Sequence, residues 1–166
     1  SVKTLALTRI IVYIQSEINL TTPENFTVPF EEKLAPDNRW VIMSKLIPWS
    51  EFEAEYALHF SAEGIGAPAK TFRMALGALI IKERLKTSDR ETVEQIRENP
   101  YLQYFIGMEK YSNKEPFEAS MLVHFRQRIG EELVNKINRR TVELAEEDKA
   151  PEKKSKKVEK GKIMEN

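Results

Sequence analysis

Phe72-Arg73-Met74-Ala75-Leu76-Gly77-Ala78-Leu79-Ile80-Ile81-Lys82-Glu83-Arg84-Leu85 is the stretch that decides the fold. Its apolar residues fall around most of a helical circumference rather than along one stripe, and such a helix is stable only with other elements packed around it. A central buried helix is therefore predicted. The small residues Ala75, Gly77 and Ala78 predict neighbours that approach it closely.

Toward the C-terminus, Ser88-Asp89-Arg90-Glu91 has the pattern of a capping box, which starts a new helix running to about Glu98 and burying Val93 and Ile96. Asn99-Pro100 repeats the start signal and Gly107 supplies a stop, so Tyr101, Leu102, Tyr104, Phe105 and Ile106 form a short apolar helix. Ser112 to Pro116 is a polar loop. Ser120 is then the expected N-cap of a helix through Met121 and Ile129. Short helices separated by turns predict an all-α, compact multi-helix bundle containing a helix-turn-helix-like unit. From Glu131 the helix either continues past Gly130 or restarts, with Val134, Ile137, Thr141 and Leu144 at alternating spacings of three and four. Residues Lys149 to Asn166 hold seven lysines against Glu152, Glu159 and Glu165 and read as a disordered lysine-rich tail.

Toward the N-terminus, a short helix runs from Asn38 through Ile47, with Trp40, Met43 and Ile47 on one face. Pro48 ends it and opens the next, in which Phe52, Tyr56 and Phe60 share a side. Aromatics at that spacing are core. Phe26-Thr27-Val28-Pro29-Phe30 reads as an extended segment lying on the helices, after a turn at Thr21 to Asn25. Ser1 to Leu20 fits a helix or a strand equally and stays unassigned. Ser61 to Pro68 is a loop whose Gly64-x-Gly66 lacks both the preceding strand and the Gly-Lys-Ser/Thr ending of a phosphate loop. The organisation expected is an N-terminal extension over 1–24, a helical domain over 25–147 and a charged linker over 148–166.

Composition narrows the functions available. The 166 residues are 41% hydrophobic and 31% charged, with 26 basic and 26 acidic side chains, so no global field draws the molecule onto nucleic acid or membrane. Any such binding must come from local patches. The absence of cysteine excludes thiolate metal sites and cysteine nucleophiles, and His59 and His124 have no carboxylate at a ligand spacing. Neither a metal nor another cofactor is expected. Leu5 to Leu20 is interrupted by Arg9, Gln15 and Glu17 and is too short to span a bilayer, so no membrane partner and a cytoplasmic location are expected.

The functional candidate is the segment from Ser120 to Ile129. At about 100° per residue, Leu122, Phe125, Ile129 and Leu133 share one side, with Ser120, Val123, His124, Gln127 and Arg128 on or near the other and Arg126 flanking. Arg and Gln can pair two-pronged with guanine and adenine edges, and a capped helix start offers N–H groups to a phosphate. Spacing alone favours a solvated helix face over a DNA-reading one, and Glu131 and Glu132 would repel phosphates nearby.

Taken together, several motifs closely resemble the N-terminal domain of bacterial insertion-sequence transposases, in the large group related to insertion sequence five. These are Asp37-Asn38-Arg39-Trp40-Val41, Leu46-Ile47-Pro48-Trp49, Ala75-Leu76-Gly77-Ala78-Leu79-Ile80-Ile81-Lys82, Ser88-Asp89-Arg90-Glu91-Thr92-Val93, Glu98-Asn99-Pro100-Tyr101-Leu102-Gln103-Tyr104-Phe105-Ile106-Gly107 and His124-Phe125-Arg126-Gln127-Arg128. The resemblance covers roughly Asn25 to Glu147. It implies a helical domain that binds the terminal inverted repeats of a mobile element, followed in the family by an RNase H-like domain whose three acidic residues hold divalent metal. The sequence reaches Gly161-Lys162-Ile163-Met164-Glu165-Asn166 without the first catalytic aspartate, so no enzymatic activity of this chain alone is expected.

The expectation is thus a DNA-binding transposase domain whose partner is double-stranded DNA, with no small-molecule substrate. Ser120, His124, Gln127 and Arg128 would read bases, and Arg126, Lys136, Arg139 and Arg140 would hold phosphates. The alternative is a protein-interaction module, in which an exposed seam from Val134 to Leu144 pairs with a second copy, as a homodimer, or with a full-length transposase.

Overall fold

The computed structural model describes residues 26–28, 32–61 and 70–163, in which all regular elements are helices. In chain order they are α1 (Arg39–Leu46), α2 (Trp49–Ser61), α3 (Phe72–Leu85), α4 (Asp89–Glu98), α5 (Pro100–Phe105), α6 (Met121–Arg128) and α7 (Glu131–Ile163). Helix α3 is the centre, touching α2, α4, α5 and α6. Its residues Phe72, Ala75, Leu76, Ala78, Ile80 and Ile81 are fully buried, as expected of a helix apolar on all sides.

The helix starts follow the capping chemistry in the sequence. Asn38 accepts from the Trp40 N–H, Thr71 from Met74, Ser88 from Glu91 and Asn99 from Tyr101, each satisfying a donor that the first helical turn leaves open. The Glu91 carboxylate accepts from the Gln95 side chain one turn on. Gly107 stops the chain after α5 in the left-handed region, at φ 85°. At Gly77 the close approach is specific. A Cβ there would lie 3.0 Å from Ile106 Cγ2, so the missing side chain is what lets the end of α5 seat on α3.

A second, smaller apolar cluster of Phe26, Leu34 and Val41 lies beside Tyr101 and Tyr104. The extended segment predicted to lie on the helices does so: Thr27 forms an isolated parallel bridge with Lys110, and the Tyr111 N–H donates to the Thr27 carbonyl over 2.9 Å. The expectations for Ser1 to Asn25, Pro29, Phe30, the Gly64-x-Gly66 loop and the Phe60 side chain lie outside the described residues.

The chain does not run continuously from α6 into α7. It breaks at Ile129-Gly130, and the Gly130 carbonyl accepts the Val134 N–H to begin α7. Val134, Ile137 and Thr141 are buried at 3%, 0% and 4% exposure, with Leu144 half-buried. The exposed pairing seam expected there is therefore corrected, because the apolar stripe of α7 is spent on its own bundle. The helical assignment of α7 extends to Ile163, through the lysine-rich stretch. Among the described residues no helix is long and apolar enough to cross a membrane.

Candidate nucleic-acid interface

Helix α6 is set by the loop before it. Gln103 on α5 is completely buried and donates from Nε2 to the carbonyls of Ile96 (3.0 Å), Arg97 (3.1 Å) and Ser112 (2.7 Å), while its Oε1 accepts the Ser112 N–H at 2.8 Å. One side chain thereby fixes the end of α4 to the middle of the loop. Phe117 then stacks edge-on against Phe125, with centroids 5.2 Å apart, which seats α6 on the core. The loop over residues 106–120 separates α5 from α6, so no tight turn of the kind expected in a helix-turn-helix leads into α6.

The helical wheel read from the sequence matches the burial. Leu122 and Phe125 are fully buried, Ile129 and Leu133 nearly so. Ser120, Val123, His124 and Gln127 are exposed. Ser120 stands at the N-cap position, but in helical backbone conformation and with no side-chain capping bond. The N–H groups of Met121, Leu122 and Val123 donate to the carbonyls of Glu118, Ala119 and Ser120. This corrects the expectation of a capped start with free donors for a phosphate, since the preceding turn has taken them.

The two arginines flank the exposed face and turn in different directions. Arg126 donates two parallel bonds to Asp89, Nη1 to Oδ1 at 2.8 Å and Nη2 to Oδ2 at 3.0 Å, and Lys82 lies 3.3 Å from the same Oδ1. The paired guanidinium holds the Asp89 carboxyl below the usual carboxylate range, and the carboxylate holds Arg126 above its ordinary value. Arg128 is half-buried and faces the Tyr56 hydroxyl. Burial pushes the Tyr56 phenol up and the Arg128 charge opposes that rise.

On α7, the cations expected to hold phosphates mostly meet carboxylates of α2. Lys136 is 3.0 Å from Glu55 and 3.7 Å from Glu132; Arg140 is 2.8 Å from Glu51, 3.5 Å from Glu143 and 3.6 Å from Glu147. Glu55 raises the Lys136 ammonium and Glu51 raises Arg140, so both stay charged and clamp α7 to α2. Arg139 is exposed.

One residue that periodicity missed is Arg90. It is exposed in the first turn of α4 and lines a shallow groove with Val93, Glu94, Glu115, Glu118, Ala119 and Ser120. Its place in the capping motif gave a helix start but no hint that this start lies beside the start of α6. The glutamates make that end of α6 less favourable for a phosphate than its middle. Among the described residues no group of three or more His, Asp or Glu side chains could hold a metal ion.

Comparison with known proteins places these helices in a family. Residues 28–128 match the family described as Transposase domain (DUF772), a span ending on the last residue of α6. An uncharacterized protein of Rhizobium meliloti, described as ORF8 in the nfe locus, is 32% identical over 110 residues, covering 66% of this chain and 52% of that protein. The chain thus spans about half the length of the curated relative it matches. No solved structure matches.

Proposed function

Because the chain belongs to the transposase-domain family (DUF772), we propose that its bundle is a DNA-binding domain that recognises the terminal inverted repeats of a mobile element. The observation that carries this reading is the exposed face of α6, where Ser120, His124 and Gln127 project from a helix whose opposite side is fully packed. A rigid short helix with hydrogen-bonding side chains outward is what a major groove accepts. In this reading Ser120, His124 and Gln127 meet base edges, and Arg128 joins them by leaving Tyr56. Arg126 and Arg139 meet phosphates, whereas Lys136 and Arg140 keep α7 in place. The chain alone neither cuts nor joins strands, and divalent metal belongs to a catalytic domain elsewhere in such a protein.

The test is a gel-shift series at graded salt, comparing the ends of the element that encodes the chain with random duplexes. Gln127→Ala should cost about 1–3 kcal/mol on the specific site alone, while Arg126→Ala should weaken all sequences alike. Equal losses on specific and random DNA from Gln127→Ala would reject base reading by α6. Metal-dependent nicking by the purified chain would reject the non-catalytic assignment.

A further inference from the structure

Resting on the DNA-binding reading, we propose that Asp89 stands at Arg126 where a backbone phosphate goes, so that duplex DNA binds by exchanging that carboxylate for a phosphate. The two parallel bonds of 2.8 and 3.0 Å from Arg126 use the forked geometry that a guanidinium offers equally to carboxylate and phosphate. Lys82 approaches the same oxygen, so a single aspartate serves two cations and its departure leaves two positive charges together.

The site is open to an incoming anion. Side-chain exposures are 39% for Arg126, 30% for Asp89 and 29% for Lys82, so the pair is in contact with water rather than sealed in the core. It also borders the α6 face that carries Gln127. A phosphate arriving from a duplex laid on that face reaches Arg126 from the solvent side. The exchange trades one charge-assisted pair for another of similar strength, so Asp89 lowers affinity for any duplex without deciding which sequence is bound. It acts as a counterweight to non-specific binding.

The test compares the full chain with Asp89→Asn on random and element-end duplexes across a salt series. Asp89→Asn should bind both more tightly, by about tenfold near 0.1 M salt, with the same slope of log K against log salt, because the exchange already gives wild type that phosphate contact. The double variant Asp89→Asn with Arg126→Gln should lose that gain. If wild type binds and a folded Asp89→Asn binds no more tightly, or gains a steeper slope that marks a phosphate contact wild type does not make, the exchange is overturned while DNA binding stands. If neither binds at low salt, both readings fall. Should Asp89→Asn not fold, the Arg126 Nε–H resonance of the wild-type chain decides: it shifts on saturation with duplex if the exchange occurs, and an unmoved resonance overturns it.

Discussion

Arg73 of α3 donates to the carbonyl end of α5, with Nε 3.0 Å from the Phe105 oxygen and Nη2 2.7 Å from that of Tyr104. Its guanidinium also lies over the rings of Trp49 at 5.2 Å and Tyr104 at 5.5 Å, and desolvation holds its pKa below the ordinary arginine value. The cation thus closes a helix terminus alongside the Gly107 N–H, which donates to the Tyr104 carbonyl over 3.0 Å. Arg73→Ala should lower stability by about 1–3 kcal/mol, since it leaves the carbonyl of the buried Phe105 without this donor while Tyr104 keeps the Gly107 N–H. Arg73→Lys should recover only part, because an ammonium cannot span both oxygens and stack between rings. Thermal melts of the two variants check the order.

Gly77 tests the contact between α3 and α5. In an open helix, Gly→Ala gains about 1 kcal/mol, but here the new methyl group would sit 3.0 Å from Ile106 Cγ2 and 3.3 Å from its backbone Cα. Ile106 is fully buried and its backbone is held by the bond from its N–H to Leu102, so the neighbour has little room to yield. Gly77→Ala is expected to be net destabilising and Gly77→Leu to cost about 3 kcal/mol or more. A raised denaturation midpoint for Gly77→Ala would show that the two helices can move apart freely.

Gln103→Leu should be among the most damaging single changes outside the apolar core. It removes the four hydrogen bonds by which Gln103 holds Ser112 to the end of α4, leaving the Ile96 carbonyl with the Asn99 N–H alone, at a cost of about 2–4 kcal/mol. Hydrogen exchange should then rise first in residues 106–120 and in α6, ahead of α3.

Acid should remove the Asp89 contribution in a defined direction. Because the folded carboxyl titrates below its unfolded value, the pair stabilises fully above the ordinary carboxylate range and the contribution is lost as pH falls through the lowered folded value. The partners are substantially exposed, so the amount is about 1 kcal/mol at neutral pH. Wild type and Asp89→Asn should therefore differ in melting temperature at pH 7 and converge in strong acid.

Much of the scaffold was legible because its signals are local. The apolar circumference of Phe72 to Leu85, the caps at Ser88 and Asn99 and the wheel of α6 each depend on residues within one or two turns, and each matches the structure. The partners of the basic residues are a tertiary property. Arg126 meets Asp89 from another helix and Arg140 meets Glu51 far back in the chain, so charge on a helical wheel marked where these cations point but not what already holds them. The buried seam of α7 was misread as exposable for the same reason: periodicity tells which side is apolar, not whether a neighbour has claimed it.

The way Gln103 and Phe117 locate α6 has a practical corollary for anyone wishing to move that helix onto another scaffold. The orientation of Ser120, His124 and Gln127 is encoded upstream, in the anchorage of Ser112 and the ring packing at Phe117, rather than in the eight residues of the helix itself. A transplant of Met121 to Arg128 alone would carry the letters without the grip, so the portable cassette must reach back to Ile96 and Arg97, on which Gln103 is anchored.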